Sequence, residues 1–420
     1  MRRTVGLLLL LLAVAWHAWA VGDQWTKSRR VRGGSDFASY YYATRVAWEG
    51  GNPYDKTALE AAAHQEETRR FVHPFFYPPP YLLTMAWTLP LELRTSYRAW
   101  FWLDELFALL CALVLWRWWR PLGDALPVVL AVAVATLTAI PNNHMMGQVN
   151  LPVLALVLAG LWQAERDREA LGGALLGVAC MMKMSPVLFV GWWLLRGRWK
   201  AAAAACVAGV LLTLAVLPLA GPAVQLHFYT QVLPGFGSGD YNGLLVPIDL
   251  FGNHSIPDLL NRAFPEQGPG LSWTARTLSA MTALALVAGM AWWFRKGPPD
   301  LQALGAQVST VGLVMLLVPV YTYEHHLVWA LPAVVVTAAA VVQGRVRWWW
   351  GIPLAAAWLL WAFELSTLKS AWKEVGDTAP LLAFALREGK FAALLVLLAG
   401  TAVLGGAGAV RYAAKREPTT

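Results

Sequence analysis

Charge is scarce in this chain. Asp, Glu, Lys and Arg make up 14% of its 420 residues, whereas 58% are hydrophobic and 24 are Trp. A mean hydropathy of +0.48 excludes a soluble globule and points to an all-α polytopic membrane protein. Cysteine is scarcer still: Cys111, Cys180 and Cys206 each lie inside an apolar run, so neither a disulfide framework nor a cysteine-based metal site is expected. No H-E-x-x-H spacing occurs, and the adjacent Glu324, His325 and His326 diverge on a helix instead of converging on one ion, so no required metal or other cofactor is expected. The net charge of +8 does not indicate nucleic acid, because most basic residues cluster between apolar segments, where they orient helices and meet anionic lipid. A lipid or solute transporter is the alternative class, but it should carry inverted repeats and midplane charges, and no internal repeat is visible.

What is present is a series of apolar runs separated by short basic loops. The first, within "MRRTVGLLLLLLAVAWHAWAVGD", has the basic start and small-residue end of a signal peptide, yet it is long enough to span a bilayer and many spans follow, so an uncleaved helix is expected. Hydropathy places spans near 5–21, 99–116, 125–141, 149–164, 170–182, 185–195, 201–219, 274–294, 301–319, 327–343, 348–366 and 391–409, about twelve in all, with both termini cytoplasmic. The clusters "RWWR", "ERDRE", "RGRWK", "FRK", "GRVR" and "RYAAKR" then all face the cytoplasm, as the bias of basic residues toward inside loops requires. The apolar stretch 75–98 is too short and proline-rich to cross comfortably. A re-entrant or interfacial piece is expected there, and such backbone is tolerated only where protein or a watery cavity surrounds it. Residues 1–420 thus read as one integral membrane domain, with outer loops at 22–98 and 221–272, the second a Gly-rich candidate lid.

Polar residues gather on the expected outer side. Phe37, Tyr40, Tyr41, Thr44 and Trp48 fall at helical spacing, predicting an interfacial helix that Gly50 and Gly51 stop, and a second helix is expected over about 56–70. Asp36 stands in the first turn of the earlier helix. A capping role explains an Asp there; a catalytic role is the alternative.

Asp36 with "GGNPYD" at 50–55, "YPPP" at 77–80, "GQVN" at 147–150, "KMSP" at 183–186, "GNHS" at 252–255 and "HHLVWALP" at 325–332 occur in an order that resembles family 87 of the C-type glycosyltransferase superfamily. The resemblance implies an integral enzyme of the inner membrane with its active site on the extracytoplasmic face. Its donor would be a sugar on a polyprenyl phosphate, mannose being favoured, and its acceptor a glycolipid or glycan in contact with membrane lipid. It also implies an essential Asp in the first outer loop, a position that Asp36 matches. Transfer from a lipid phosphate needs a base for the acceptor hydroxyl, but no general acid, because phosphate is already a good leaving group. One base and direct displacement imply inversion at the sugar. Lys183, between two short apolar halves and followed by Pro186, is the candidate cation for the departing phosphate, unless it merely snorkels to the headgroups. His325 and His326 open a span and are further candidates for that phosphate. Tyr54, Tyr77, Gln148, Asn150, Asn253, His254 and Glu324 complete the candidate substrate contacts; Gln148 and Asn150 could equally cap a helix, and His254 could equally order its own loop.

Overall fold

In the computed structural model, residues 2–28, 35–65, 72–244, 246–266, 270–346 and 348–406 are described. Among them every regular element is helical. Four helices are long and apolar enough to cross a membrane: Thr4–Ser28, Leu93–Leu122, Trp273–Phe294 and Glu324–Val342. Counting each of three bent helix pairs as one span raises the number to seven. The larger sequence-based count draws also on helices such as Asn150–Ala164, Glu169–Met182 and Leu301–Leu317, which are apolar but shorter. The chain is therefore a multi-pass, all-helical membrane protein, divided into two compact units: residues 21–114 with 141–247, and residues 1–20 with 115–140 and 248–420.

The unit of residues 21–114 and 141–247 is organised around the helix Glu169–Met182, which packs between Asn150–Ala164 and Trp199–Ala215. Small residues permit this close approach, since membrane helices gain little from burying apolar surface and depend on dispersion contacts instead. A Cβ on Gly177 would stand 2.5 Å from the Ala205 carbonyl oxygen and 2.7 Å from Ala208 Cβ. Where Asn150–Ala164 ends and its two neighbours begin, Arg196 pairs with Glu165, and Arg198 donates to Glu169 at 2.9 Å. The helix ends at Lys183, whose extended backbone (φ −153°, ψ 125°) leaves it, and Pro186 precedes the next helix, Val187–Leu195. The proline lacks an N–H and fixes its own φ, so the break expected at 183–186 is real.

The helix Ser35–Trp48 is followed by a turn at Gly50, φ +83°, a conformation that glycine adopts without Cβ strain. Lys56–Gln65 follows, and the remainder of the helix expected over about 56–70 lies outside the described residues. The stretch 75–98 forms a short helix, Tyr81–Met85, and a 3-10 turn before entering the long helix Leu93–Trp119. Residues 221–247, expected as loop, are partly helical: Leu217–His227 continues through a π turn, Phe228–Val232.

In the unit of residues 1–20, 115–140 and 248–420, Leu301–Leu317 is central, with every side chain from Gln302 to Leu317 buried. A helix apolar on all faces must be buried or in lipid, and its few polar side chains are satisfied internally. Gln302 donates to Val336 O at 2.7 Å and Gln307 to Gly405 O at 3.0 Å. Leu331–Val342 and Pro380–Gly405 pack against it. Ser255 caps a short helix, Ile256–Ala263, inside the stretch expected as a lid; the serine and Pro257 are ordinary start signals.

The packing at Gly177 makes a prediction. Gly177→Leu should lower stability by roughly 1–3 kcal/mol through overpacking, read as a lowered thermal midpoint in detergent. An unchanged midpoint would show that these helices do not need their close approach.

Candidate functional site

The helix Ala139–Met146 ends in a turn whose backbone fixes the next polar residues. Gly147 takes φ +70°, its N–H bonds His144 O at 3.1 Å, and the Gln148 N–H bonds Asn143 O at 3.1 Å. This paired closure is the Schellman arrangement, and it wants glycine at the left-handed position. A Cβ on Gly147 would also meet Phe37 Cβ at 2.6 Å, so the turn lies directly against the first turn of Ser35–Trp48, where Asp36 is.

Gln148 Nε2 donates to Asp36 Oδ2 at 2.6 Å. Its Oε1 lies 3.2 Å from the hydroxyls of both Tyr40 and Tyr77, which are themselves 2.8 Å apart. Burial, reinforced by neighbouring phenols, pushes the Tyr40 hydroxyl well above its ordinary pKa, and burial does the same for Tyr77, so both remain donors at any physiological pH. A carboxylate can only accept, so the Gln148 amide has one workable orientation: NH2 toward Asp36, carbonyl toward the phenols. Tyr54 supports this arrangement from behind, donating to Tyr77 O at 2.7 Å and stacking on Phe228. Asp36, Ser39, Tyr40, His73, Pro74, Phe76 and Tyr77 line a small pocket at the carboxylate.

Lys183 Nζ donates to Asn150 Oδ1 at 2.6 Å. Neither Gln148 nor Asn150 caps the helix Asn150–Ala164 through its side chain; both amides hold a charged group instead. Gln148 is 4% exposed and Asn150 is fully buried, whereas Asp36 and Lys183 are half-buried. The Asp36 carboxylate and the Lys183 amine are thus each held by a buried amide.

The remaining predicted residues lie in the unit that contains 248–420. Asn253 donates to Ile248 O and Val320 O, both at 2.9 Å, and accepts from the Thr322 N–H at 2.9 Å. Its side chain ties the 252–255 loop to the backbone at 320–322. The His254 N–H bonds Thr322 O at 2.8 Å, and its Nε2 lies 3.8 Å from Glu324 Oε2. Glu324 accepts from Lys390 and from Thr138 Oγ1 at 2.7 Å, an ion pair with both partners buried. His326 Nδ1 accepts from the Tyr323 N–H at 2.9 Å, which leaves Nε2 to carry the proton of a neutral ring, and the His325 ring lies 4.3 Å from it. Among the described residues no group of three or more His, Cys, Asp or Glu is arranged to hold a metal ion.

Sequence reasoning missed Tyr40 as a hydrogen-bonding group, Asn143, Asp104, Lys390 and Thr138. Asn143 Nδ2 donates to Asp104 Oδ2 at 2.7 Å, both side chains being fully buried. A buried acid in an apolar helix is the one signal that could have found Asp104.

A model of glycosyltransferase family 87 matches residues 75–319, a range that includes the Gln148, Asn150 and Lys183 motifs and excludes Asp36 and residues 324–326. The chain is similar to a polyprenol-phosphate-mannose-dependent alpha-(1-2)-phosphatidylinositol mannoside mannosyltransferase of Mycolicibacterium smegmatis, 28% identical over 232 residues, 54% of this chain and 49% of that protein. A polyprenol-phosphate-mannose-dependent alpha-(1-2)-phosphatidylinositol pentamannoside mannosyltransferase of the same organism is 32% identical over 187 residues, 44% of this chain and 42% of that one. A mannoside mannosyltransferase of Mycobacterium tuberculosis is 28% identical over 211 residues, 50% and 46% of the two chains. The chain spans about half the length of the curated relatives it matches. With more than half of its residues inside the family match, the chain belongs to glycosyltransferase family 87.

Proposed function

We propose that this chain transfers a mannosyl unit from a polyprenyl phosphate to a hydroxyl of a glycolipid acceptor resembling a phosphatidylinositol mannoside, with Asp36 as the general base. The observation that carries this reading is the Asp36 carboxylate, half-buried beside a pocket and held through Gln148 by two buried phenols. The names of the relatives supply the substrate class. Asp36 takes the acceptor proton as the hydroxyl attacks the anomeric carbon, and the carrier phosphate departs as an anion. A single displacement inverts the centre, so a β-linked donor gives an α-linked product. No general acid or metal is required by this chemistry, provided that a cation receives the phosphate charge. Lys183 is that cation in our reading, with Asn150 holding one of its N–H groups and directing the others. His325 and His326 keep a role as candidate anion ligands at the start of their helix. Asn253, His254 and Glu324 are assigned to ordering that segment, consistent with their bonds to backbone and to Lys390.

The reading includes about twelve crossings of the inner membrane, with residues 22–98 and 221–272 extracytoplasmic and carrying interfacial helices and a lid. It predicts that a cysteine replacing Ser238 is labelled by an impermeant maleimide from outside and one replacing Gly297 is not. The reversed pattern would place the Asp36 pocket on the wrong face.

Asp36→Asn should leave the protein folded and slow transfer on the order of 10²–10⁴-fold or more, the contribution of a positioned base. Incorporation of radiolabelled polyprenyl-phosphate mannose by this variant at near the wild-type rate would remove Asp36 from the chemistry. Lys183→Met should weaken apparent donor affinity about ten- to a hundredfold, since hydrogen bonds to a charged group are worth roughly 1.5–3 kcal/mol, and leave acceptor affinity nearly unchanged. Lys183→Arg should retain part of the activity, because charge survives while geometry changes. Equal donor titrations for wild type and the Met variant would refute the phosphate assignment.

A further inference from the structure

We propose that Asn143, a residue with no part in the reaction as described above, is the positioning residue that sets both the base and the donor-binding cation; this rests on the reading of Asp36 and Lys183 just given. Asn143 is fully buried, and every polar atom of its side chain is engaged. Nδ2 donates to Asp104 Oδ2 at 2.7 Å and to Gln148 O at 3.2 Å, while Oδ1 accepts from Asn150 Nδ2 at 3.0 Å. Its backbone carbonyl takes the Gln148 N–H at 3.1 Å, so one residue clamps Gln148 by both its N–H and its carbonyl. Gln148 in turn holds Asp36, and Asn150 holds Lys183.

Donor and acceptor directions make this junction directional as well as close. The Gln148 carbonyl can only accept, so Asn143 must turn its NH2 toward it, and with it toward Asp104 Oδ2, and its Oδ1 toward Asn150. Asn150 must then present NH2 to Asn143 and its own Oδ1 outward, where Lys183 Nζ donates to it. The polarity read from the Gln148 carbonyl and the polarity read from Lys183 agree at both amides. Reversing Asn150 would put an NH2 against Lys183 and two carbonyls face to face, and reversing Asn143 would set its carbonyl against that of Gln148 and two NH2 groups against each other, with buried groups left unsatisfied at each contact. The Gln148 carbonyl therefore anchors the direction, Asn143 branches it, and the two branches end at the half-buried groups that face substrate.

The test compares four variants of the full chain in detergent or nanodiscs, by thermal midpoint and by donor and acceptor titrations of mannosyl transfer. Asn143→Leu should raise donor KM about tenfold and lower kcat, with acceptor KM nearly unchanged. Asn143→Leu strands the buried Asp104 carboxyl group at a cost in stability, so Asp104→Leu/Asn143→Leu removes both partners together, a replacement that can be close to neutral. Its midpoint should return toward wild type while donor KM stays raised. In Lys183→Met, adding Asn143→Leu should raise donor KM less than about twofold further, because the route to the donor is already cut. A wild-type donor KM in the Asp104→Leu/Asn143→Leu protein would reduce Asn143 to packing, and an undiminished effect in the Lys183→Met background would show that it acts elsewhere. If Lys183→Met alone leaves donor KM unchanged, the reading of Lys183 fails by itself, an outcome distinct from either failure of Asn143.

Discussion

A single amide, Gln148, faces a carboxylate with its NH2 and two phenols with its carbonyl, and the geometry at Asp36 depends on that orientation being the only one available. A carboxylate near the membrane surface could swing among rotamers or pair with whatever cation approached. Here the short bond from Gln148 aligns one oxygen, and the buried tyrosines keep the amide from turning. The cost of an unsatisfied buried amide, about 1–3 kcal/mol, stabilises the correct orientation against its reverse.

The fold serves this arrangement through backbone features that tolerate little change. Gly147 combines a left-handed φ with a close approach to Phe37, so the Asn143–Asn150 segment is pressed onto the helix that carries Asp36. Glycines along Glu169–Met182 let that helix sit close between its neighbours, and the helix ends at Lys183. Rigid close packing at one end and a proline-induced break at the other put a cation on a half-buried, extended segment without a long loop.

Much of this was legible in the sequence because it is written in local signals. Gly50 and Gly51 do stop the aromatic helix, Lys56 does begin another, and Pro186 does mark the break after Lys183. The ordered motifs led to family 87, and the matched range bears that out. Side-chain partnerships were another matter. Gln148 and Asn150 stand where helix caps stand, and only the fold shows that their amides bond Asp36 and Lys183 instead. Asp104 and Lys390 sit within long helical runs, and nothing local reveals that Asn143 faces one and Glu324 the other. The stretch 221–272 read as loop because Gly and Pro interrupt its periodicity; Gly221 and Pro222 do kink Leu217–His227, whereas Ser255 and Pro257 start the short helix Ile256–Ala263 within it.

The central claim is a single displacement at the sugar driven by one aspartate. The most direct measurement is the anomeric configuration of the product when the purified protein is given β-linked polyprenyl-phosphate mannose and a phosphatidylinositol mannoside acceptor. The account predicts a new α-mannosidic bond, formed by wild type and absent in the Asp36→Asn protein. A β-linked product would require two successive displacements through a glycosyl intermediate, and would contradict the assignment of Asp36 as a base acting in one step.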